Sequence, residues 1–524
     1  MNKWMPIAFA LIVFAGLSLR VPKLADRPLH HDEANQAYRF GLLLEEGVYE
    51  YDAEDHHGPS LYYLTLPIAW LTGAESFQET SEITYRALPV LFGMLLILCV
   101  PILRSGIGCI AVLAAAGFTA ISPAMAYYSR FYIQEISLVF FTFLMIAAGY
   151  RSIKTGSRRW AIACGLAAGL MFATKETAII AYAAVVGAGL LCSLVTKNTH
   201  LPLKNIALVL VFGTLTSFIL FSSFLTHPSG PMESILAFKG YFARGAGVET
   251  EHVHPWYFYL KMLTRYRFDG GPVWSEGLVF ALGLFGCFAT ARKKLPDNCD
   301  AGLARFLMFY TLLLTLAYSV IAYKTPWCLL SFLHGWIIMA AIGTASVFAL
   351  IARRITIRNA AIACRVGILL LLAYPVFATY RLARNTVFRY AADYRSPYVY
   401  AHTSPDFKNL VRRVGELAAV SPKGEAMYVQ VIAKPDETWP LPFYLRRFPN
   451  VGYWTDAESV PGNVKPDLVV SAPNFEPDPD AFLSEFYGLR AGTLVALHID
   501  RALWDAFLET RNQSKRTDRA DLVQ

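Results

Sequence analysis

The chain has 524 residues, 55% of them hydrophobic and only 16% charged, with a mean hydropathy of +0.39. Those proportions exclude a soluble enzyme with one anchor and describe a polytopic membrane protein. The formal net charge of +8 is carried largely by short loops between apolar runs, so it reports membrane topology. The sequence has no nucleic-acid-binding module, and a nucleic-acid partner is not expected.

In chain order, apolar runs predict spans near 4–20, 86–103, 107–127, 133–150, 160–174, 177–196, 205–226, 275–291, 305–323, 327–350 and 361–379. Arg104, Arg151, Lys154, Lys197, Lys204, Arg292, Arg305, Arg353 and Arg358 fall on alternate turns, which marks those turns as cytoplasmic. The N-terminus joins them. Residues 21–85, 228–274 and everything after about 380 then lie outside the cell or in the periplasm. The first span follows Lys3 and is short, but no small-x-small cleavage pattern follows it, so it reads as a retained anchor. All eight cysteines fall in spans or a cytoplasmic loop, so no disulfides are expected in the exported parts.

The first outer region opens with Leu29-His30-His31-Asp32-Glu33-Ala34-Asn35. Four adjacent ionisable side chains at a membrane surface are costly unless they bind a cation, take up a proton or meet a polar head group. Tyr51 to Pro59 adds Asp55, His56 and His57, and Leu61 to Leu71, too short to span, predicts an interfacial helix. The fourth span opens with Glu135, close in sequence to Arg130; taken alone, the two read equally as an ion pair at a helix start. Lys175 and Glu176 stand at the outer junction of spans five and six, where an i,i+1 pair in an interfacial turn is the plain reading. A lysine there runs against the positive-inside trend, and so does Lys324 between spans nine and ten. Both suit an anionic lipid head group. The loop 228–274, with aromatics such as Tyr241 and Trp256, predicts a surface loop or lid.

The fold class expected is therefore a polytopic α-helical membrane protein of about 11 transmembrane helices (residues 1–379) with an extracytoplasmic α/β domain (380–524). In that domain Phe407 to Val420 has helical periodicity, Pro440 to Arg447 predicts a short helix, and Met427 to Ala433, Asp467 to Ala472 and Thr493 to Ile499 predict strands. It carries no phosphate loop, nucleophile elbow or metal-ligand spacing, which suits support or recognition. The outer ends of different spans thus supply Asp32, Glu33, Asp55 and Glu135, four imidazoles, and Lys175 and Lys324. Their shared side favours one cavity over independent surface roles.

An acidic pair after the first span, a long first outer loop, an acid opening the fourth span and an outer lysine turn resemble the GT-C superfamily of polyprenyl-phosphate-sugar glycosyltransferases. Within it, the likeness is to the protein O-mannosyltransferase and aminoarabinose-transferase branch. The strings HHDEANQAY (30–38), HHGPSLYYL (56–64), YKTPW (323–327), SPYVYAHTSPDF (396–407) and WPLPFYLRR (439–447) resemble a family of archaeal and bacterial membrane proteins labelled flippase-activity-associated.

The resemblance implies inverting transfer of a sugar from a polyprenyl-phosphate donor to a protein, lipid or glycan acceptor outside the membrane. It places Asp32 as general base with Glu33 in support, and Glu135 with a cation or the acceptor. Lys175 and Lys324 would hold the lipid phosphate. His57-Gly58-Pro59 stands where related transferases have Lys-Pro-Pro, so an imidazole would meet the donor phosphate. A divalent cation on His31, Asp55 and His56 is the one cofactor considered. The alternative is a lipid-linked-sugar flippase component or transporter, which should place its charges near the bilayer midplane.

Overall fold

The structure, a computed structural model, describes residues 4–52, 57–196, 203–245, 252–355, 357–462 and 464–521. Each apolar run read as a span is helical over most of its length. The chain opens with α1 (Trp4–Arg20), α2 (His31–Glu46) and α3 (Ser60–Thr72), followed by α4 (Glu82–Cys99) and α5 (Arg104–Ile121). These last two pack together across the turn Val100–Leu103 and a break at Gly108, where φ is 79°. Then come α6 (Pro123–Tyr128), α7 (Glu135–Thr155), α8 (Arg158–Phe172), α9 (Ala178–Thr196) and α10 (Leu203–Phe221). The loop that follows holds three short helices, α11 (Gly230–Leu236), α12 (Phe238–Gly245) and α13 (Phe258–Thr264). The bundle closes with α14 (Gly277–Ala291), α15 (Ala301–Val320), α16 (Leu330–Arg354) and α17 (Arg358–Phe388).

Among the described residues, seven helical segments are long and apolar enough to cross a membrane, and one of them, Glu82–Ile121, contains both α4 and α5. Helices α1 and α14 are apolar but shorter. In a bilayer helices gain little from burying apolar surface, so close backbone approach over small residues replaces it. The α14–α16 contact is of this kind: a Cβ on Gly286 would stand 2.0 Å from the Met339 carbonyl oxygen, and one on Gly343 would stand 2.2 Å from that of Leu282.

The C-terminal domain starts with α18 (Phe407–Val420) and has five strands, β1 (Val429–Ile432), β2 (Val451–Trp454), β3 (Leu468–Ser471), β4 (Phe482–Arg490) and β5 (Thr493–Asp500), before α19 (Arg501–Asp521). The sheet order is β2-β1-β3-β5-β4; β1 pairs in parallel with β2 and β3, while β5 pairs antiparallel with β3 and β4. The apolar stripe Phe407, Leu410, Val414 and Leu417 of α18 shares one core with Val429, Leu468 and Leu497. Helix α18 and strands β1, β3 and β5 stand where their periodicity places them. Strands β2 and β4 are additions: β2 has four residues and no fully buried one, and β4 is an edge strand with an irregular burial pattern and a register break between Gly488 and Arg490.

Helix α17 runs through residue 379 to Phe388, and the link after it lies on the bundle. Tyr127 donates to the Ala391 carbonyl at 2.8 Å, Thr403 donates to that of Leu29 at 2.7 Å, and the Leu29 N–H donates to the Tyr444 hydroxyl at 2.9 Å. The domain therefore grips the segment immediately before α2.

Candidate active site

The cluster at residues 30–33 is a helix start. His30 is the N-cap of α2: its Nδ1 accepts the Asp32 N–H at 3.0 Å, and the Glu33 carboxylate accepts the His30 N–H at 2.9 Å, which closes a capping box. His30 Nε2 lies 2.9 Å from the Tyr400 carbonyl oxygen. With Nδ1 accepting, Nε2 carries the proton and the ring is neutral. Successive helix positions differ by about 100° around the axis, so Asp32 and Glu33 diverge. Glu33 turns into the protein, where it accepts from Arg86 Nε at 2.8 Å and Nη2 at 2.7 Å, from Arg27 Nη2 at 3.1 Å and from the Tyr132 N–H at 3.0 Å. Burial alone would raise its pKa, but the two guanidinium groups outweigh burial and hold it at about 2.

Asp32 faces the other way. Its carboxylate is 38% exposed, stands 3.8 Å from His30 Nδ1 and lines a cavity of about 630 Å³. His31, His57, Glu135, Lys175 and Glu176 line the same space. Lys175, from the turn between α8 and α9, forms an ion pair with Glu135 at the start of α7, and both are buried. Burial opposes the charge on Lys175, yet the adjacent Glu135 raises its pKa. Glu135 Oε2 is buried without a hydrogen-bond partner among the described residues. The carboxylate thus holds one cation and keeps a second, buried oxygen without a partner.

A second pair lines the wall beside it. His57 Nδ1 lies 2.9 Å from Glu176 Oε2, the Tyr51 hydroxyl donates to Glu176 Oε1 at 3.2 Å, and the Tyr241 hydroxyl of α12 lies 3.0 Å from His57 Nδ1. Burial raises the Glu176 pKa, but His57 counters it and the net shift is downward. The backbone sets this geometry. The Ser60 N–H donates to the Ala173 carbonyl at 2.9 Å, and a Cβ on Gly58 would stand 2.3 Å from that same oxygen. Only glycine lets the His57 loop lie against the Lys175 turn.

The structure brings Asp32, His31, His57, Glu135 and Lys175 together and leaves two other candidates out. Glu33 is sealed behind α2 by its arginines and does not line the cavity, so its place is in holding the helix start. Lys324 is also outside the lining: its ammonium donates to the carbonyls of His254, at 3.1 Å, and Ile321. The Ile321 carbonyl belongs to the end of α15, where helix geometry leaves carbonyls without partners, and Lys324 serves there. Arg130 and Glu135 form no ion pair, because Arg130 donates to the carbonyls of Arg20, Pro22 and Lys23 where α1 ends. Lys175 and Glu176 likewise pair with residues far away in sequence rather than with each other. Asp55 and His56, offered with His31 as cation ligands, lie outside the described residues. Among the described residues no group of three His, Cys, Asp or Glu side chains is arranged for a metal ion.

Glu176 and Tyr241 were not among the site residues expected from the sequence. Glu176 had a signal, an acid at an outer turn. Tyr241 had none beyond its aromatic segment.

No curated protein matches the chain in sequence. A structure of ArnT from Cupriavidus metallidurans bound to undecaprenyl phosphate superposes with a TM-score of 0.60 at 15% identity, covering 96% of this chain and 99% of that one. The archaeal oligosaccharyltransferase AglB from Archaeoglobus fulgidus, in complex with an inhibitory peptide and a dolichol-phosphate, gives 0.58 at 14% identity, covering 94% and 74%. An Archaeoglobus fulgidus oligosaccharyltransferase in complex with Zn and sulfate gives 0.54 at 14% identity, covering 89% and 68%. The chain thus has the membrane fold of the GT-C glycosyltransferases, and its residues 58–227 match the model of the dolichyl-phosphate-mannose-protein mannosyltransferase family.

Proposed function

We propose that the protein is an inverting glycosyltransferase that moves a sugar from a polyprenyl-phosphate donor to a hydroxyl acceptor on the extracytoplasmic side. The observation that carries this reading is one cavity lined by a partly exposed carboxylate, Asp32, together with a buried ammonium, Lys175, paired to Glu135. The ArnT and AglB structures contain undecaprenyl phosphate and dolichol-phosphate, which supports a lipid phosphate as the leaving group here. The narrower affiliation, with the flippase-activity-associated family, rests on the five strings at 30–38, 56–64, 323–327, 396–407 and 439–447.

A glycosyl phosphate already has a good leaving group. The enzyme must align the acceptor, remove its proton and neutralise the departing phosphate. Asp32 takes the acceptor proton as the oxygen bonds to the anomeric carbon. The bond from that carbon to the phosphate oxygen breaks, and the phosphate keeps the electron pair and is held by Lys175, with His57 beside it. One displacement inverts the anomeric centre. Two of the three side chains considered for a divalent cation, Asp55 and His56, lie outside the described residues. The ring of Trp439 in the C-terminal domain stands 6.1 Å from that of His31, which supports a role for the domain in receiving the acceptor.

The test is transfer from a polyprenyl-phosphate sugar by purified protein. Asp32→Asn should lower the rate by about 10²–10⁴-fold with an unchanged unfolding midpoint. A wild-type rate, or lipid translocation without transfer that ignores the substitution, would overturn the reading. Lys175→Gln should raise the donor KM by about 10-fold or more, as expected for the loss of a charge-assisted phosphate contact.

A further inference from the structure

On the far side of the Glu33 network lies a second cavity of about 240 Å³, bounded by the segment after α1, the start of α4 and the residues that end α17. Five cations line it, Lys23, Arg27, Arg86, Arg130 and Arg389, against a single lining acid, Asp26, which pairs with Lys23 at 3.6 Å. Glu33 offsets one charge of Arg27 and Arg86 together, so the surplus is positive. The donors are not all spent. Arg86 commits its guanidinium to Glu33 and the carbonyls of Leu24, Arg27 and Pro28, whereas Arg27 meets Glu33 through Nη2, lies against the Tyr127 hydroxyl, and has a buried Nη1 that closes no hydrogen bond of full geometry among the described residues. Burial first, and then Arg27 and Arg86, lower the Arg130 pKa to about 9. Five cations crowded this closely share two acids, Asp26 and Glu33.

The geometry points to a binding site for a phosphate-class anion in this cavity, separate from the Asp32 cavity and reached past Lys23 and Arg389. Arg86 and Arg130 spend their donors on Glu33 and backbone carbonyls and act through their charge, while the exposed Lys23 and Arg389 supply donors suited to phosphate oxygens. The lining comes from the ends of apolar helices, which is the depth of a lipid head group. A phosphate monoester in solution and the head-group phosphate of an anionic lipid share this chemistry.

The experiment uses the full-length chain carrying Lys175→Gln, which removes the ammonium of the other cavity. In one arm, protein in phosphatidylcholine nanodiscs is dialysed against radiolabelled inorganic phosphate. In the other, nanodiscs doped with phosphatidylglycerol are exchanged into detergent, and lipid retained on the protein is counted by native mass spectrometry. Retention of about one equivalent in either arm is expected, the first identifying a free anion and the second a lipid. The exposed pair Lys23→Gln with Arg389→Gln should weaken it by about 10-fold without changing the unliganded unfolding midpoint, and Lys23→Arg should restore it. Arg389→Glu alone provides a second readout, with loss expected. No retention in either arm, or retention indifferent to both variants, would overturn the proposal.

Discussion

Glu33 sits between the guanidinium groups of Arg27 and Arg86, with no accessible surface. Replacing it by Gln leaves two buried cations without their shared partner, and breaking a buried pair in this way costs about 3–5 kcal/mol. Glu33→Gln should therefore lower the unfolding midpoint in denaturant, whereas Asp32→Asn next to it should not. The same carboxylate sets an acid limit. Its folded pKa of about 2 lies below its ordinary value of 4.5, so its contribution is complete above about pH 4.5 and is lost as pH falls through about 2. Chemical unfolding measured from pH 6 down to 2 should show the decline for wild type and a flatter profile for Glu33→Gln. Adjacent letters in a sequence cannot show this division of labour, because it depends on which face of a helix turns toward the arginines.

The turn that holds Lys175 and the loop that holds His57 meet over Gly58, and a methyl group there has nowhere to go. Gly58→Ala should push the loop off the Ala173 carbonyl and cost about 1–3 kcal/mol, the range for overpacking, seen as a lower thermal midpoint. In the transferase assay the same variant should raise donor KM more than Lys154→Gln, a change in a different loop. The elements themselves were legible. Helices cover most of each apolar run, although α17 continues past 379 to Phe388 and the run 107–127 is divided between α5 and α6, and α18 runs over the residues that its stripe of Phe407, Leu410, Val414 and Leu417 predicts. Strands β2 and β4 were not legible, since a short strand and an irregular edge strand lack the alternation that a half-buried face imposes. The pairing of Glu135 with Lys175 was equally hidden: the spacing to Arg130 suggested a local partner, while the actual one is 40 residues away.

The C-terminal domain and the membrane bundle are joined at the segment that precedes Asp32. Tyr444 accepts from the Leu29 N–H at 2.9 Å and donates to Glu82 at 3.0 Å, and Lys408 pairs with Glu82 at 3.2 Å. Tyr444→Phe removes both hydroxyl contacts and leaves the Leu29 N–H without that partner, a loss of about 1–3 kcal/mol. Amide exchange at Leu29 should quicken, and transfer should slow because the start of α2 loses its clamp. Unchanged exchange at Leu29 would show that the domain does not hold the site. By itself the sequence determined the membrane class, the course of the helices and the order of bundle and domain, because those follow from hydrophobic length and periodicity along the chain. Only the tertiary structure decided that Asp32 rather than Glu33 meets the cavity, that Lys175 belongs to it while Lys324 ties off a helix end, and that His57 leans on Glu176. Those choices are made by contacts between residues distant in the chain, whose geometry no local pattern encodes.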